Sequence, residues 1–200
     1  MDLKSTSFIV LTGGTSTRFG SDKAAALIDG HTLIERILTS IPDEIDVIIV
    51  GPDPRIAGRS YQCVQEQPLG GGPVAGFMAG LEICTSEIVG LIATDMPFAV
   101  TRVINLLNSM KSHDDAVMYV DASGFIQPLA AVYRVEAVEN ALHIIGSIEG
   151  KSMRELTSLL SIAEVVMSTE VEGALMDIDT PADLDTAIAF AATLKDNPHL

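Results

Sequence analysis

Phe8-Ile9-Val10-Leu11-Thr12-Gly13-Gly14-Thr15-Ser16-Thr17-Arg18-Phe19-Gly20-Ser21-Asp22-Lys23 joins an unbroken apolar run to a glycine-rich loop that ends near two cations. A short apolar run of this kind reads as a strand buried on both faces, the habit of parallel sheets. The small residues after it let backbone N–H groups approach an anion, and Arg18 and Lys23 supply charge where phosphates would lie. The stretch therefore has the character of a triphosphate cradle. Two commoner glycine loops fail on spacing. A P-loop needs Lys-Ser/Thr directly after its last glycine, whereas Gly20 is followed by Ser21 and Asp22; the dinucleotide fingerprint needs G-x-G-x-x-G, whereas Gly13 and Gly14 are adjacent. For this loop alone, an ordinary strand-to-helix turn is the remaining alternative.

Outward from this strand, apolar runs recur at Val47 to Val50, Tyr61 to Val64, Ile88 to Ala93 and Ala116 to Val120, with helical patterns between them. That alternation predicts an α/β chain with a mostly parallel sheet. Asp121-Ala122-Ser123-Gly124 has turn composition, so Ala116 to Val120 and Phe125 to Tyr133 are expected to form an antiparallel hairpin, a mixed edge on the sheet. Thr32 and Glu35 form a capping box for a helix whose apolar face is Leu33, Ile37 and Leu38. Thr180 and Pro181 start a final helix running through Leu184, Ile188 and Phe190. No repeat, linker or low-complexity tract interrupts the pattern, so residues 1–200 read as one domain.

The composition narrows the partners. Of 200 residues, 48% are hydrophobic, enough for a sizeable core. Twelve basic against 27 acidic residues leave a net charge of −15, which repels nucleic acid and anionic membranes. A phosphate site on such a chain must gather its few cations locally and recruit a divalent metal. Cys63 and Cys84 have neither metal-type spacing nor a disulfide framework and are expected to be reduced, buried and structural. No apolar stretch is long enough to cross a bilayer and Met1 to Ser5 lacks a secretory core, so a cytoplasmic protein is expected.

Three further segments carry chemistry. In Gly70-Gly71-Gly72-Pro73-Val74-Ala75-Gly76-Phe77-Met78-Ala79-Gly80-Leu81, Pro73 suits a first helical turn and the glycines before it let a ligand approach backbone. Gly76 and Gly80, inside the helix, need a packing or ligand reason. Asp95 falls just past the carboxyl end of a central strand, where open α/β sheets bind ligands, with capping of a helix near Ala99 as the alternative. A carboxylate facing a phosphate cradle suits magnesium, which prefers oxygen donors. In Met176-Asp177-Ile178-Asp179-Thr180-Pro181, a strand-end period of two puts Asp177 and Asp179 on one side, so one or both can face the cleft; helix capping is the alternative for Asp179 and Asp183.

At these segments the chain resembles the molybdenum cofactor guanylyltransferases of the MobA-like nucleotidyltransferase family. Leu11 to Lys23 is similar to that family's L-A-G-G-x-S-x-R-M-G-x-D-K signature, with Thr12 for Ala and Phe19 for Met. Gly72-Pro73-Val74-Ala75-Gly76 resembles G-P-L-A-G, Asp95-Met96-Pro97 resembles D-M-P, and Asp179-Thr180-Pro181 resembles [DN]-T-P. Gln127-Pro128-Leu129 and Gly150-Lys151-Ser152-Met153-Arg154 are similar to Q-P-L and to the G-x-[RK]-S-[LM] segment.

The resemblance implies a three-layer α/β/α Rossmann-like nucleotidyltransferase fold and transfer of GMP from GTP to the terminal phosphate of molybdopterin. It assigns Leu11, Thr12, Gly13 and Gly14 to the nucleotide, Lys23 and Arg18 to its phosphates, and Asp95, with Asp179, to Mg2+. Gly72 joins the nucleotide site. Glu66-Gln67-Pro68 stands where many members have Glu-Asp-Pro, so Glu66 or Gln67 is the candidate contact there. Relatives that use CTP tend to have Ala-Gly at the positions of Gly13 and Gly14, which favours GTP here. GTP and molybdopterin are thus the implied partners, with molybdoenzymes or other cofactor-biosynthesis proteins beside them. The alternatives are a CTP-dependent cytidylyltransferase acting on molybdopterin or a sugar or polyol phosphate, and a catalytically silent nucleotide-binding regulator. A phosphate nucleophile is already ionised and needs no base, so His31, His113, His143 and His199 are expected at the surface.

Overall fold

The computed structural model of the chain describes residues 5–12 and 26–196. In chain order its strands are β1 (Thr6–Leu11), β2 (Leu27–Ile28), β3 (His31–Thr32), β4 (Asp46–Val50), β5 (Gln62–Val64), β6 (Ile88–Ala93), β7 (Ala116–Val120), β8 (Ile126–Arg134) and β9 (Ile162–Val166). Its helices are α1 (Leu33–Ser40), α2 (Pro73–Glu82), α3 (Ala99–Leu107), α4 (Val135–Ile145), α5 (Met153–Thr157), α6 (Thr169–Ala174) and α7 (Pro181–Asp196). Seven strands form one sheet in the order β5-β4-β1-β6-β8-β7-β9. The first four are mutually parallel, β8 is antiparallel to both β6 and β7, and β9 runs parallel to β7. β2 and β3 make a separate hairpin across Asp29-Gly30, both at positive φ, the backbone that tight turn demands.

Helices cover both faces, giving three layers. On one side α1, α3 and α6 bury Ile37, Leu38, Val100, Val103, Leu106 and Val171 against the sheet. On the other, α2, α4 and α5 bury Val74, Phe77, Leu81, Val138, Leu142 and Leu156. β1 and β6 are buried at every position, as strands covered on both faces must be. The α1 capping box is present, Glu35 N–H donating to Thr32 Oγ1 and Glu35 Oε2 accepting from Thr32 N–H. The far end of α1 is closed by Arg59, whose guanidinium donates to the carbonyls of Ile41, Pro42 and Ile45.

Two expectations need correction. The hairpin is not an edge: β8 lies between β6 and β7, because Ala130 to Tyr133 is fully buried and needs partners on both sides, while the half-exposed β9 forms the border. Cys63 and Cys84 are free, but Cys63 is exposed on the outer strand β5 and Cys84 is half-buried. The final helix forms where expected, α7 running through Leu184, Ile188 and Phe190 and turning Ala187 and Ala191 inward onto Ala26, Ile28, Leu33 and Ile178. Among the described residues no helix is long and apolar enough to cross a membrane.

The glycines of α2 have a packing reason. A Cβ at Gly80 would lie 2.8 Å from Ile9 Cγ2 and 3.0 Å from Ile9 Cδ1, and one at Gly76 would lie 3.3 Å from Leu11 Cδ2. The helix therefore rides directly on β1. Gly80→Ala should lower stability, because overpacking a fully buried contact costs about 1–3 kcal/mol and exceeds the roughly 1 kcal/mol gained in helix propensity. Gly76→Ala, meeting only the rotatable end of Leu11, should cost less. Urea unfolding midpoints check both, and a Gly80→Ala protein as stable as the parent would refute the close-packing account.

Candidate active site

The site begins where β4, β1 and β6 end side by side. Thr12 donates twice to the Val50 carbonyl, through its N–H at 2.9 Å and its Oγ1 at 2.9 Å. Thr94 does the same to Leu11, its N–H lying 3.0 Å and its Oγ1 2.6 Å from that carbonyl. Gly51 comes directly after β4 with φ +131°, and a Cβ there would collide with Thr12 Oγ1. These bonds carry the three strand ends past the last ladder positions as one rigid shelf. Leu11 itself contributes a buried side chain under α2 and a carbonyl held by Thr94. Gly13, Gly14, Arg18 and Lys23 lie outside the described residues.

Asp95 stands in the turn just after β6, half-buried. It does not cap α3: that helix starts at Ala99, and its N-cap Phe98 makes no side-chain cap bond. Its carbonyl accepts from Ile178 N–H at 3.0 Å, which draws the Asp177–Asp179 segment against it. That segment is irregular rather than a strand end, yet Ile178 is fully buried and Asp177 and Asp179 flank it on the exposed side. Asp183 has the expected capping role, its Oδ2 accepting from the N–H groups of Asp179 and Thr180 and from Thr180 Oγ1. Asp95 and Asp179 thus sit on tied segments, both offering hard oxygen donors. Among the described residues no group of three or more His, Cys, Asp or Glu could hold a metal.

At the N-terminal end of α2, the helix whose Gly76 lies against Leu11 of β1, a cavity of about 730 Å³ gathers three segments distant in sequence: Pro68 to Pro73, Pro128-Leu129 and Glu149 to Met153. Gly72 precedes α2 with φ 86° and ψ −178°, a backbone open to glycine alone, while nothing lies within 4 Å of where its Cβ would be. Ligand-sized space therefore meets bare backbone there. Glu66 braces this loop, its Oε1 accepting from Gly70 N–H at 3.1 Å, while Gln67 is exposed and precedes a cis peptide bond to Pro68.

The opposite wall is made by a bulge. The β7–β8 register passes from Met118↔Ala131 to Val120↔Ile126, so four β8 residues, Gln127 to Ala130, stand against Tyr119 alone. Pro128 has no N–H for a ladder, and the distortion aims Pro128 and Leu129 into the cavity. Tyr133, absent from the residues that the sequence motifs single out, fixes this wall: fully buried and packed 5.0 Å from Phe77, it donates its hydroxyl to Pro128 O at 2.6 Å. Its signal in sequence is only a tyrosine in an otherwise apolar strand.

The cation on the third wall is paired. Lys151 Nζ lies 2.8 Å from Glu155 Oε1, and Glu155 completes a capping box with Ser152. The Lys151 ammonium, with the Ser152 N–H as the smaller cause, pulls the Glu155 carboxyl down to about 2, so the pair stays ionised at neutral pH. His31, His113 and His143 are exposed, and His199 lies outside the described residues. Tyr133→Phe should destabilise the fold by about 1–3 kcal/mol, because it strips the Pro128 carbonyl of its buried donor. Thermal unfolding checks this, and an unchanged midpoint would show the bond to be dispensable.

Comparison with known proteins identifies the family and the fold. Residues 8–164 match the model of the MobA-like NTP transferase domain. A probable molybdenum cofactor guanylyltransferase of Natronomonas pharaonis is 29% identical, the match covering 90% of this chain and 95% of that one. Another so named, from Bacillus cereus, is 31% identical over 78% of this chain and 82% of its own. Among solved structures, molybdopterin-guanine dinucleotide biosynthesis protein A of Archaeoglobus fulgidus superposes with a TM-score of 0.70 at 21% identity, covering 94% of this chain and 99% of that one. The 2-C-methyl-D-erythritol 4-phosphate cytidylyltransferase of Thermus thermophilus shares the fold at a TM-score of 0.66 and 17% identity, covering 93% and 98%. With a domain model matched over most of its length, the chain belongs to the MobA-like NTP transferase family.

Proposed function

We propose that this protein transfers GMP from GTP to the terminal phosphate of molybdopterin, releasing pyrophosphate and forming molybdopterin guanine dinucleotide. The observation that carries the reading is the convergence of Gly70 to Pro73, Pro128-Leu129 and Glu149 to Met153 on one cavity at the N-terminal end of α2. A nucleotide at the shelf and a second substrate in the cavity would then meet at adjacent ends. The relatives are named as probable guanylyltransferases of the molybdenum cofactor, a reaction that fits that geometry.

In this reading the acceptor phosphate attacks the α-phosphorus of GTP in line, and the bond to the β-phosphate oxygen breaks. Arg18 and Lys23 orient and neutralise the triphosphate. Asp95 and Asp179 hold Mg2+, which supplies further charge neutralisation when bound. Thr12 and Thr94 keep the strand ends from moving under that load, and the bare backbone at Gly72 admits close approach of substrate. No covalent enzyme intermediate is needed, since positioning and electrostatics supply the acceleration.

The direct test is product analysis with molybdopterin, Mg2+ and either GTP or CTP; a cytidine product would favour the cytidylyl reading, and no product with either would favour a silent regulator. Asp95→Asn is expected to remove most turnover while the fold stays intact by circular dichroism, and near-normal rates at saturating magnesium would reject its metal role. Lys23→Ala should cost on the order of 2–4 kcal/mol in transition-state stabilisation. If Gly13 and Gly14 leave room for a purine, alanine at either should lower kcat/KM for GTP more than for CTP, by roughly 1–3 kcal/mol. A uniform loss with both nucleotides would instead mark a backbone requirement.

A further inference from the structure

A second cavity, of about 110 Å³, shares no lining residue with the first. It lies where α1, α3, α6 and α7 meet, and its polar lining is Arg36, Ser40, Thr101 and Arg102. Among the described residues, none that lines it is acidic. In a chain with 12 basic against 27 acidic residues, two arginines on one small cavity are a local reversal of charge. The nearest carboxylate in the ion-pair network, Asp29, is divided between Arg36 at 3.5 Å and Lys195 at 2.9 Å, so cations outnumber it. Among the described residues Arg102 makes no ion pair. The Arg36 guanidinium is braced 4.9 Å above the Phe98 ring, which meets Phe190 edge-on at 5.1 Å.

We propose that this cavity binds a small tetrahedral oxyanion of the phosphate or sulfate class, held by Arg36 and Arg102 with the Thr101 hydroxyl. The volume sets the class: it is about that of three or four waters in the liquid, enough for one such ion and too small for a nucleotide. Guanidinium groups suit oxyanions because their N–H donors match the spacing of the oxygens. The first turn of α3 adds partial positive charge, since it contains no acidic residue and its N-cap makes no side-chain bond. Nothing in this site depends on the reaction assigned to the larger cavity.

The test is a titration of inorganic phosphate at constant ionic strength, read by hydrogen exchange of the first turn of α3 in the full chain. Wild type and Lys23→Ala should both show slower exchange over residues 99–102 with phosphate but not with chloride. Arg102→Gln should bind phosphate about tenfold or more weakly while melting at the parental temperature in chloride, and Arg102→Lys should fall between them. Protection that vanishes in Lys23→Ala would locate the ion at the glycine-rich loop and overturn the proposal. So would equal protection in Arg102→Gln, or none in the wild type. Should Arg102→Gln unfold, Arg102→Lys and Thr101→Val decide, and parental affinity in both would equally reject the site.

Discussion

The paired bonds at the ends of the central strands, Thr12 onto Val50 and Thr94 onto Leu11, are the constraint on which the site depends. A parallel ladder leaves the carboxyl ends of its strands with carbonyls pointing into the crevice where ligands bind. Each threonine meets one such carbonyl with two donors, so β4, β1 and β6 end as a unit. The glycine-rich segment after Thr12, Gly51 after β4 and the Asp95 turn after β6 therefore all start from a fixed point.

Packing beneath the shelf has the same strictness. Gly80 allows α2 to lie on β1 at a separation that a methyl group would prevent, and Gly76 keeps the next turn close to Leu11. That contact brings the N-terminus of α2, with Gly72 at its cap, to the level of the strand ends. The cost in helix propensity is modest beside the positional gain. From the other side, Tyr133 ties the Pro128 bulge to the same layer through its contact with Phe77, so both walls of the large cavity are anchored in one apolar cluster.

Electrostatics distribute the work unevenly. A chain of net charge −15 can hold anionic substrates only where its few cations are concentrated. Arg59, Lys151 and Lys195 are engaged with Asp43, Glu155 and Asp29. Two concentrations of cations are assigned to anions in the functions we propose: Arg18 and Lys23 in the glycine-rich segment, and the Arg36 and Arg102 pair between the helices.

Local chemistry was legible in the sequence. The apolar runs located β1, β4, β6 and β7, the Thr32 and Glu35 spacing located the start of α1, and the Asp121 to Gly124 turn located the β7–β8 hairpin, because each signal is written in neighbouring residues. The motif order pointed to the family for the same reason. Pairing between distant segments was beyond its reach. The interior place of β8, the β9 border, the bulge that opens Pro128 to the cavity, and the tie between Ile178 and Asp95 all depend on which buried faces find one another. Apolar burial is non-directional, so only the assembled tertiary structure decides among the partners that local patterning allows.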